Sequence, residues 1–293
     1  MNEHNDDILT ELRRIADALE HLTKTGTSPV LEKKHFAYVW HTNPDHLQPV
    51  PKVNHIPLTL LQGIDHQSDI LYENTRRFAN GLSANNALLW GARGTGKSSL
   101  VKAIHADVIR TSDITLIEIH REDLDSLPRL LSCLNLYKDR RFIVFCDDLA
   151  FEAAETSYKS LKAVLEGGIE GKPEHVIFYA TSNRRHLMAR DMIDNERSTA
   201  INPSEAIDEK VSLSDRFGLW LGFHNVDQDT YLAMITAYAD AIHLDSDAQK
   251  RKVLHHQALA WAITRGSRSG RVAWQFITHA AGEAGITINL SSY

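Results

Sequence analysis

The sequence predicts an α/β fold: a five-stranded parallel sheet flanked by helices, with a helical extension before it and a small helical domain after it. Short runs of β-branched and aromatic residues alternate with helical patterns from about residue 63 onward. These runs are continuously apolar, which is typical of parallel strands buried on both faces. Beyond residue 225 only helical spacing remains. We therefore divide the chain into an N-terminal amphipathic helix with a linker (1–27), a mixed extension (28–62), an α/β domain (63–225) and a helical domain (226–293).

The bulk composition is that of a globular protein. Of the 293 residues, 43% are hydrophobic and 24% are charged, and the net charge is −6. No apolar run approaches the roughly 18 to 20 residues that a membrane helix needs, so no membrane partner is expected. The polar, acidic start lacks the pattern of a secretory signal, and only two cysteines occur, which together predict a cytoplasmic location. The negative charge disfavours a protein whose whole surface binds nucleic acid.

The N-terminal segment carries a heptad-like seam. Its apolar side chains alternate at spacings of four and three residues: Ile8, Leu12, Ile15, Leu19 and Leu22. This pattern predicts a helix, and two interpretations of it stay open. The helix packs on its own domain, or it serves self-association or partner binding. Residues 25–29 have the composition of a linker, and the mixed extension after them shows little pattern.

The α/β domain is predicted from apolar runs and the helical patterns between them. The five predicted strands lie at 87–90, 114–119, 142–145, 176–180 and 219–223. The predicted helices lie at 68–80, 98–110, 124–134 and 153–165. The pair Gly167-Gly168 is a helix-terminating signal. Apolar residues at helical spacing then open the helical domain: Tyr231, Ile235, Tyr238 and Ile242.

A phosphate-binding loop follows the first predicted strand. The string from Gly91 to Ser98 matches GxxxxGK[ST] at every fixed position and opens a helix. Backbone N–H groups of such a loop surround the β-phosphate, Lys97 reaches the β- and γ-phosphates, and the Ser98 hydroxyl binds Mg²⁺. ATP and Mg²⁺ are therefore the predicted cofactors. The predicted nucleotide contacts in this loop are Gly91, Ala92, Arg93, Gly94, Thr95, Gly96, Lys97, Ser98 and Ser99.

Two adjacent acids follow the third predicted strand. The apolar run ends in Asp147-Asp148, at the sheet edge where open α/β sheets bind ligands. We expect Asp147 to hold Mg²⁺ together with Ser98. Asp148 is the predicted group that polarises the attacking water. Glu152 is a weaker candidate for that role.

Three further polar strings occur in a fixed order after these acids. Thr181-Ser182-Asn183 follows the fourth strand, Asp215-Arg216 precedes the fifth, and Arg265 to Arg271 is an arginine- and glycine-rich stretch in the helical region. Taken alone, the first is a turn or a helix cap and the second is an arginine paired locally with Asp215.

Together the five motifs, in this order, resemble those of AAA+ ATPases with the P-loop fold. The resemblance covers roughly residues 63–280 and implies that the helical domain is a lid. It implies that Asn183 is the sensor 1 residue, which positions water near the γ-phosphate. It implies that Arg216 is an arginine finger that enters a neighbouring subunit's ATP site. The sensor 2 arginine is either Arg268 or Arg271, and the sequence leaves this choice open.

Longer strings in the sequence point to one family within the AAA+ ATPases. The chain resembles an uncharacterised bacterial AAA+ family, a domain of unknown function (DUF 815), in five strings: ANNALLWGARGTGKSSLVKA, FIVFCDDLAFE, LKAVLEGG, YATSNRRHL and SLSDRFGLWL. This family implies an ATPase fold and site rather than a cellular task. Asp148 stands where most AAA+ proteins have glutamate.

The leading functional hypothesis is an oligomeric ATPase, a ring or open ring, that loads or remodels a macromolecular partner. The client is an unidentified protein or nucleic acid, and the basic pairs Arg140-Arg141 and Arg184-Arg185 are too small to assign DNA binding. The segment 120–140 contains no glycine, which argues against a threading pore loop. Two alternatives are a nucleotide-binding scaffold or switch with little hydrolysis and a P-loop phosphotransferase.

Overall fold

The computed structural model of the chain describes residues 14, 31–32, 34–151, 157–167, 173–185, 187, 214–244 and 247–288. The N-terminal helix predicted within 1–27 and the candidate Glu152 lie outside the described residues, apart from the isolated Arg14.

The central element of the described chain is one seven-stranded sheet. Its strands in chain order are β1 (Ala37–His41), β2 (His46–Pro49), β3 (Ala87–Gly91), β4 (Ile114–Glu118), β5 (Arg141–Cys146), β6 (Val176–Ser182) and β7 (Leu219–Phe223). Their spatial order is β2-β1-β4-β5-β6-β3-β7. The five predicted strands are all present and pair in parallel. The α/β fold prediction is confirmed, but the predicted strand number was too low for the whole sheet.

The two additional strands come from the mixed extension. Strand β1 pairs in parallel with β4 and antiparallel with β2. Trp40 in β1 is 1% exposed, and its indole Nε1 donates a 2.7 Å hydrogen bond to Ser126 Oγ. The Arg140 guanidinium donates to the carbonyl of His35 at 3.1 Å and to Thr115 Oγ1 at 2.9 Å. Arg140, one half of a predicted basic pair, is therefore a buried structural residue that anchors the extension.

Helices cover both faces of the sheet. They are α1 (Asp65–Ala79), α2 (Lys97–Val108), α3 (Leu127–Leu134) and α4 (Ser157–Glu166), with a 3₁₀ turn at Arg121–Ser126 before α3. One hydrophobic cluster joins α1 and α2 to one face of the sheet, and a second joins α3 and α4 to the other. The strands consequently bury side chains on both faces, which explains their continuous apolar sequences.

The last helices form a third cluster of their own. They are α5 (Gln228–Ala241), α6 (Ala248–Thr264) and α7 (Gly270–Glu283). Asp227 caps α5 by accepting from the Thr230 N–H at 2.8 Å, and the Ser269 hydroxyl caps α7. Leu60, from the segment before α1, packs into the cluster of these three helices. Within the described residues, no helix is long and apolar enough to cross a membrane.

Candidate nucleotide-binding site

The phosphate loop connects β3 to α2 through glycines with left-handed backbone angles. Gly91, Gly94 and Gly96 have φ angles of 128°, 72° and 96°. A Cβ on Gly91 would lie 2.0 Å from the carbonyl oxygen of Phe223 in β7, so only glycine fits there. The Ala92 N–H donates to that same carbonyl at 3.0 Å. Strand β7 therefore fixes the start of the loop.

Lys97 begins α2 and turns its ammonium back over the loop. Its Nζ donates to the carbonyls of Gly91 at 2.9 Å and Ala92 at 2.7 Å, and to Asn183 Oδ1 at 3.3 Å. Burial lowers the pKa of Lys97, and the two acids after β5 oppose that shift. The lysine thus lies between the predicted loop and the predicted sensor 1 residue.

Asp147, directly after β5, accepts hydrogen bonds from two hydroxyl groups. Its Oδ1 accepts a 2.5 Å hydrogen bond from Ser98 Oγ and another of 2.5 Å from Thr181 Oγ1. Thr181 belongs to β6, so the contact joins three elements at one edge of the sheet. Thr181 was not predicted as a site residue, although it lies in the polar string that contains Asn183.

Asp148 has a distinct backbone conformation. Its φ is 52°, and its N–H donates to Thr181 Oγ1 at 2.9 Å. Its Oδ1 accepts a 2.5 Å hydrogen bond from Asn183 Nδ2. Asn183 therefore contacts both Lys97 and Asp148, and the left-handed turn aims the two acids at different parts of the site.

These residues surround a cleft of about 600 Å³. Of the predicted loop contacts, residues 93–99 line the cleft, while Gly91 and Ala92 lie behind it as acceptors for Lys97. The opposite end is apolar and its lining includes Ile56, Leu60, Leu61, Met234, Tyr238 and Trp274. This apolar end was not predicted, because its residues come from two segments that lie more than 170 positions apart in the sequence.

The two sensor 2 candidates lie in different places. Arg271, in the first turn of α7, lines this cleft. Arg268 lines a separate groove with Val226 and Ile263. Of the two candidates, Arg271 is therefore the one that faces the cleft.

The predicted finger, Arg216, lies outside the residues that line the cleft. It immediately precedes Phe217 and the β7 strand, and its Nη2 forms an ion pair with the carboxylate of Glu166. Glu166 is the last residue of α4, fifty positions away in the sequence.

Arg185, from the other basic pair, stacks on aromatic rings. Its guanidinium carbon lies 5.2 Å from the Trp90 ring centroid and 5.4 Å from that of Trp220. Trp90 directly precedes the phosphate loop. The basic pair after β6 thus contributes one side chain to a cation–π contact beside the site.

Comparison with known proteins identifies a family. A family model described as Protein of unknown function (DUF815) matches residues 33–284, which is most of the chain. No curated protein matches the sequence. The resemblance to this family, which the longer sequence strings indicated, is confirmed.

Two solved structures from Thermotoga maritima are similar to the chain. One is RuvB, a Holliday junction branch migration motor, with 13% identity, a TM-score of 0.42, and coverage of 76% of this chain and 71% of that one. The other is domain III of the replication initiation protein DnaA, with 16% identity, a TM-score of 0.47, and coverage of 77% and 85%.

Proposed function

The chain belongs to the family described as Protein of unknown function (DUF815), and we propose that it is an AAA+ ATPase. It binds ATP with Mg²⁺ and hydrolyses it at subunit interfaces, driving a conformational change that loads or remodels a macromolecular partner. One observation carries the proposal: Lys97, Ser98, Asp147, Asp148 and Asn183 converge on a single cleft at the C-terminal edge of the sheet.

Phosphate binding follows from the loop and Lys97. The loop's backbone N–H groups and the N-terminus of α2 attract an anion. The Lys97 ammonium donates to backbone carbonyls and an amide oxygen, which are weak acceptors compared with phosphate oxygens. A triphosphate exchanges these contacts for charge-assisted ones. The apolar end of the cleft, with Tyr238 and Trp274, suits the base.

The oxygen groups around Asp147 suit a magnesium ion. Mg²⁺ prefers hard oxygen ligands, and the Ser98 hydroxyl already lies 2.5 Å from the Asp147 carboxylate. Ser98 and Asp147 would hold the ion, which when bound would supply positive charge that offsets the negative charge of the phosphates. Thr181 orients the same carboxylate through its hydroxyl.

Asp148 and Asn183 act on the attacking water. Asn183 Nδ2 holds one oxygen of the Asp148 carboxylate, which fixes the direction in which that carboxylate accepts a proton or orients a water molecule. Asn183 also contacts Lys97, the residue that reaches the β- and γ-phosphates, so in this proposal Asn183 lies near the γ-phosphate. Arg271 contributes a further positive charge from the lid.

Arg216 completes the site of a neighbouring subunit in this proposal. Arg216 does not line its own cleft, and in this proposal it supplies transition-state charge in trans. The assembly is a homo-oligomer, a ring or open ring, and its client is a protein or a nucleic acid.

Two substitutions test the nucleotide site. Lys97→Ala is expected to abolish tight ATP binding by calorimetry. Asp148→Asn is expected to retain binding and to slow turnover, because it leaves the phosphate contacts intact. Equal ATP affinity in Lys97→Ala and the unaltered protein would overturn the site assignment. Rapid turnover in Asp148→Asn would remove Asp148 from its proposed role.

Mixing two inactive variants tests the trans mechanism. Arg216→Ala subunits should bind ATP normally yet hydrolyse it about 10³- to 10⁵-fold more slowly. Mixed with Lys97→Ala subunits, they should regain activity, because an intact finger then faces an intact site. The rescue must rise with protein concentration. Absence of rescue in subunits shown by sedimentation to co-assemble would favour the scaffold or phosphotransferase alternatives instead.

A further inference from the structure

We infer that Glu166 is the positioning residue for Arg216: it holds the guanidinium in the orientation that is presented to the neighbouring subunit's nucleotide. The inference rests on the proposed trans mechanism. The ion pair between Arg216 Nη2 and Glu166 Oε1 joins the end of α4 to the segment before β7.

Both sides of this ion pair are anchored to the core. On the α4 side, Leu161 is fully buried and Val164 and Leu165 pack partly against the same hydrophobic cluster. Gly167, with a φ of 85°, ends the helix directly after Glu166. The backbone of Glu166 therefore belongs to a helix end that packs on the core.

The Arg216 backbone is anchored in the same way. Its neighbours Ser214 and Phe217 are 1% and 3% exposed, and the Phe217 N–H donates to the Ser214 carbonyl at 3.1 Å. The arginine side chain leaves this buried turn and is 22% exposed, while the Glu166 side chain is 43% exposed. Hence the pair lies at the protein surface, where a second subunit can reach it.

The position of Glu166 on its helix argues for a role in orienting Arg216. A carboxylate in the last turn of a helix is repelled by the negative end of the helix dipole. Glutamate at this position is therefore not favoured for helix stability. Exposed ion pairs contribute little to folding. An arginine side chain loses rotamer entropy when it is ordered in one orientation. Glu166 removes part of that cost before the neighbour's nucleotide arrives.

The experiment places Glu166→Gln on one side of the subunit interface at a time. The reference mixture combines Arg216→Ala subunits, which provide the ATP site, with Lys97→Ala subunits, which provide the finger. In the donor arm the finger subunit is Lys97→Ala/Glu166→Gln. In the acceptor arm the site subunit is Arg216→Ala/Glu166→Gln. The donor arm should lose at least about tenfold in turnover, and the acceptor arm should match the reference.

Two controls separate orientation from folding. Asp240→Asn in the finger subunit removes an ion pair of similar exposure, with Arg251 in the lid region, and should leave turnover unchanged. Glu166→Asp keeps the charge but shortens the reach, so its finger subunit should give turnover between those of the reference and donor arms. Thermal unfolding and ATP affinity of Glu166→Gln should match the unaltered protein.

The outcomes are distinguishable. Equal turnover in the reference and donor arms overturns the role of Glu166 while leaving the trans arginine intact. A loss of similar size in the acceptor arm means that Glu166 acts on its own subunit's site, which also overturns it. If the reference mixture itself shows no rescue in co-assembled subunits, the trans mechanism fails, and the inference fails with it.

Discussion

The backbone N–H of Gly270 donates a 2.8 Å hydrogen bond to the carbonyl of Gly94, joining the first residue of α7 to the phosphate loop. Ser269, which caps α7, lies against the same glycine: a Cβ on Gly94 would come 2.9 Å from the Ser269 side chain. Helix α7 thus contacts the predicted phosphate loop directly. In the proposed function, a change in the loop upon nucleotide binding would act on α7 without an intermediate element.

Gly94→Ala should weaken both nucleotide binding and the docking of α7. Gly94 has a φ of 72°, so an L-residue costs about 1 to 2 kcal/mol there, and the added methyl also clashes with Ser269. Gly266→Ala is the matched control, because Gly266 has a φ of 68° but nothing within 4 Å of its Cβ position. Denaturant unfolding and calorimetry should show a larger loss in Gly94→Ala. Equal losses would mean that the contact with Ser269 has no energetic effect.

Arg271→Ala should lower the affinity for ATP more than the affinity for ADP. Arg271 lines the cleft from α7, and a charge-assisted contact with a terminal phosphate contributes about 1.5 to 3 kcal/mol, roughly ten- to a hundredfold in affinity. Arg268→Ala, three residues earlier, is the control and should leave both affinities unchanged, since Arg268 lines a different groove. A selective ATP defect in Arg268→Ala would reverse the assignment.

The five core strands and the phosphate loop could be predicted from the sequence because each depends on a local pattern. Continuous apolar runs mark strands buried on both faces, and the observed bounds differ from the predicted ones by two residues or fewer. The loop needs glycines where φ is positive, so its conformation is visible in its composition. The same holds for Asp147 and Asp148, which the end of a buried strand delivers to the ligand-binding edge.

The remaining features depend on contacts between distant segments. Strand β1 is recognisable only through its pairing with β4, which lies more than seventy residues later. The apolar end of the cleft unites Ile56 with Trp274, and neither lies in a motif. In the sequence, nothing distinguishes Glu166 from other exposed acids. Only the fold places it, at the end of α4, beside Arg216. Such relationships follow from tertiary packing, which no local spacing encodes.

Trp40→Ala should destabilise the protein by about 3 to 5 kcal/mol, the usual cost of truncating a buried aromatic side chain. Trp40 is 1% exposed in β1 and also loses its hydrogen bond to Ser126. Phe36→Ala is the control, since Phe36 is 37% exposed beside the same strand and should cost far less. Denaturant unfolding measures both. Comparable small losses would mean that the extension contributes little to the fold, in contrast to its place in the sheet.

His105 should make the protein less stable as the pH falls from about 6.5 to about 4. Burial in α2 lowers the pKa of His105 from its usual value of 6.5 to about 4, with its Nε2 lying 3.3 Å from the Ile114 carbonyl oxygen. In the unfolded chain the exposed ring binds a proton near pH 6.5, whereas the folded protein takes it up only near pH 4. Between these values the unfolded state binds more protons, so the free energy of unfolding falls with falling pH, by roughly 3 kcal/mol across the whole window.

The contribution of His105 can be isolated by substitution. His105→Gln should remove this part of the pH dependence, so its free energy of unfolding, measured with denaturant at several pH values, should decline less steeply below pH 6.5 than that of the unaltered protein. Its stability at neutral pH can change in either direction without affecting the test, because the slope is the observable. His256→Gln, on the exposed side of α6, keeps His105 and should preserve the original slope. Identical slopes in all three proteins would contradict this prediction, because His105 would then become protonated at the same pH in the folded and unfolded states. A ring buried between α2 and the sheet does not allow this unless water reaches it.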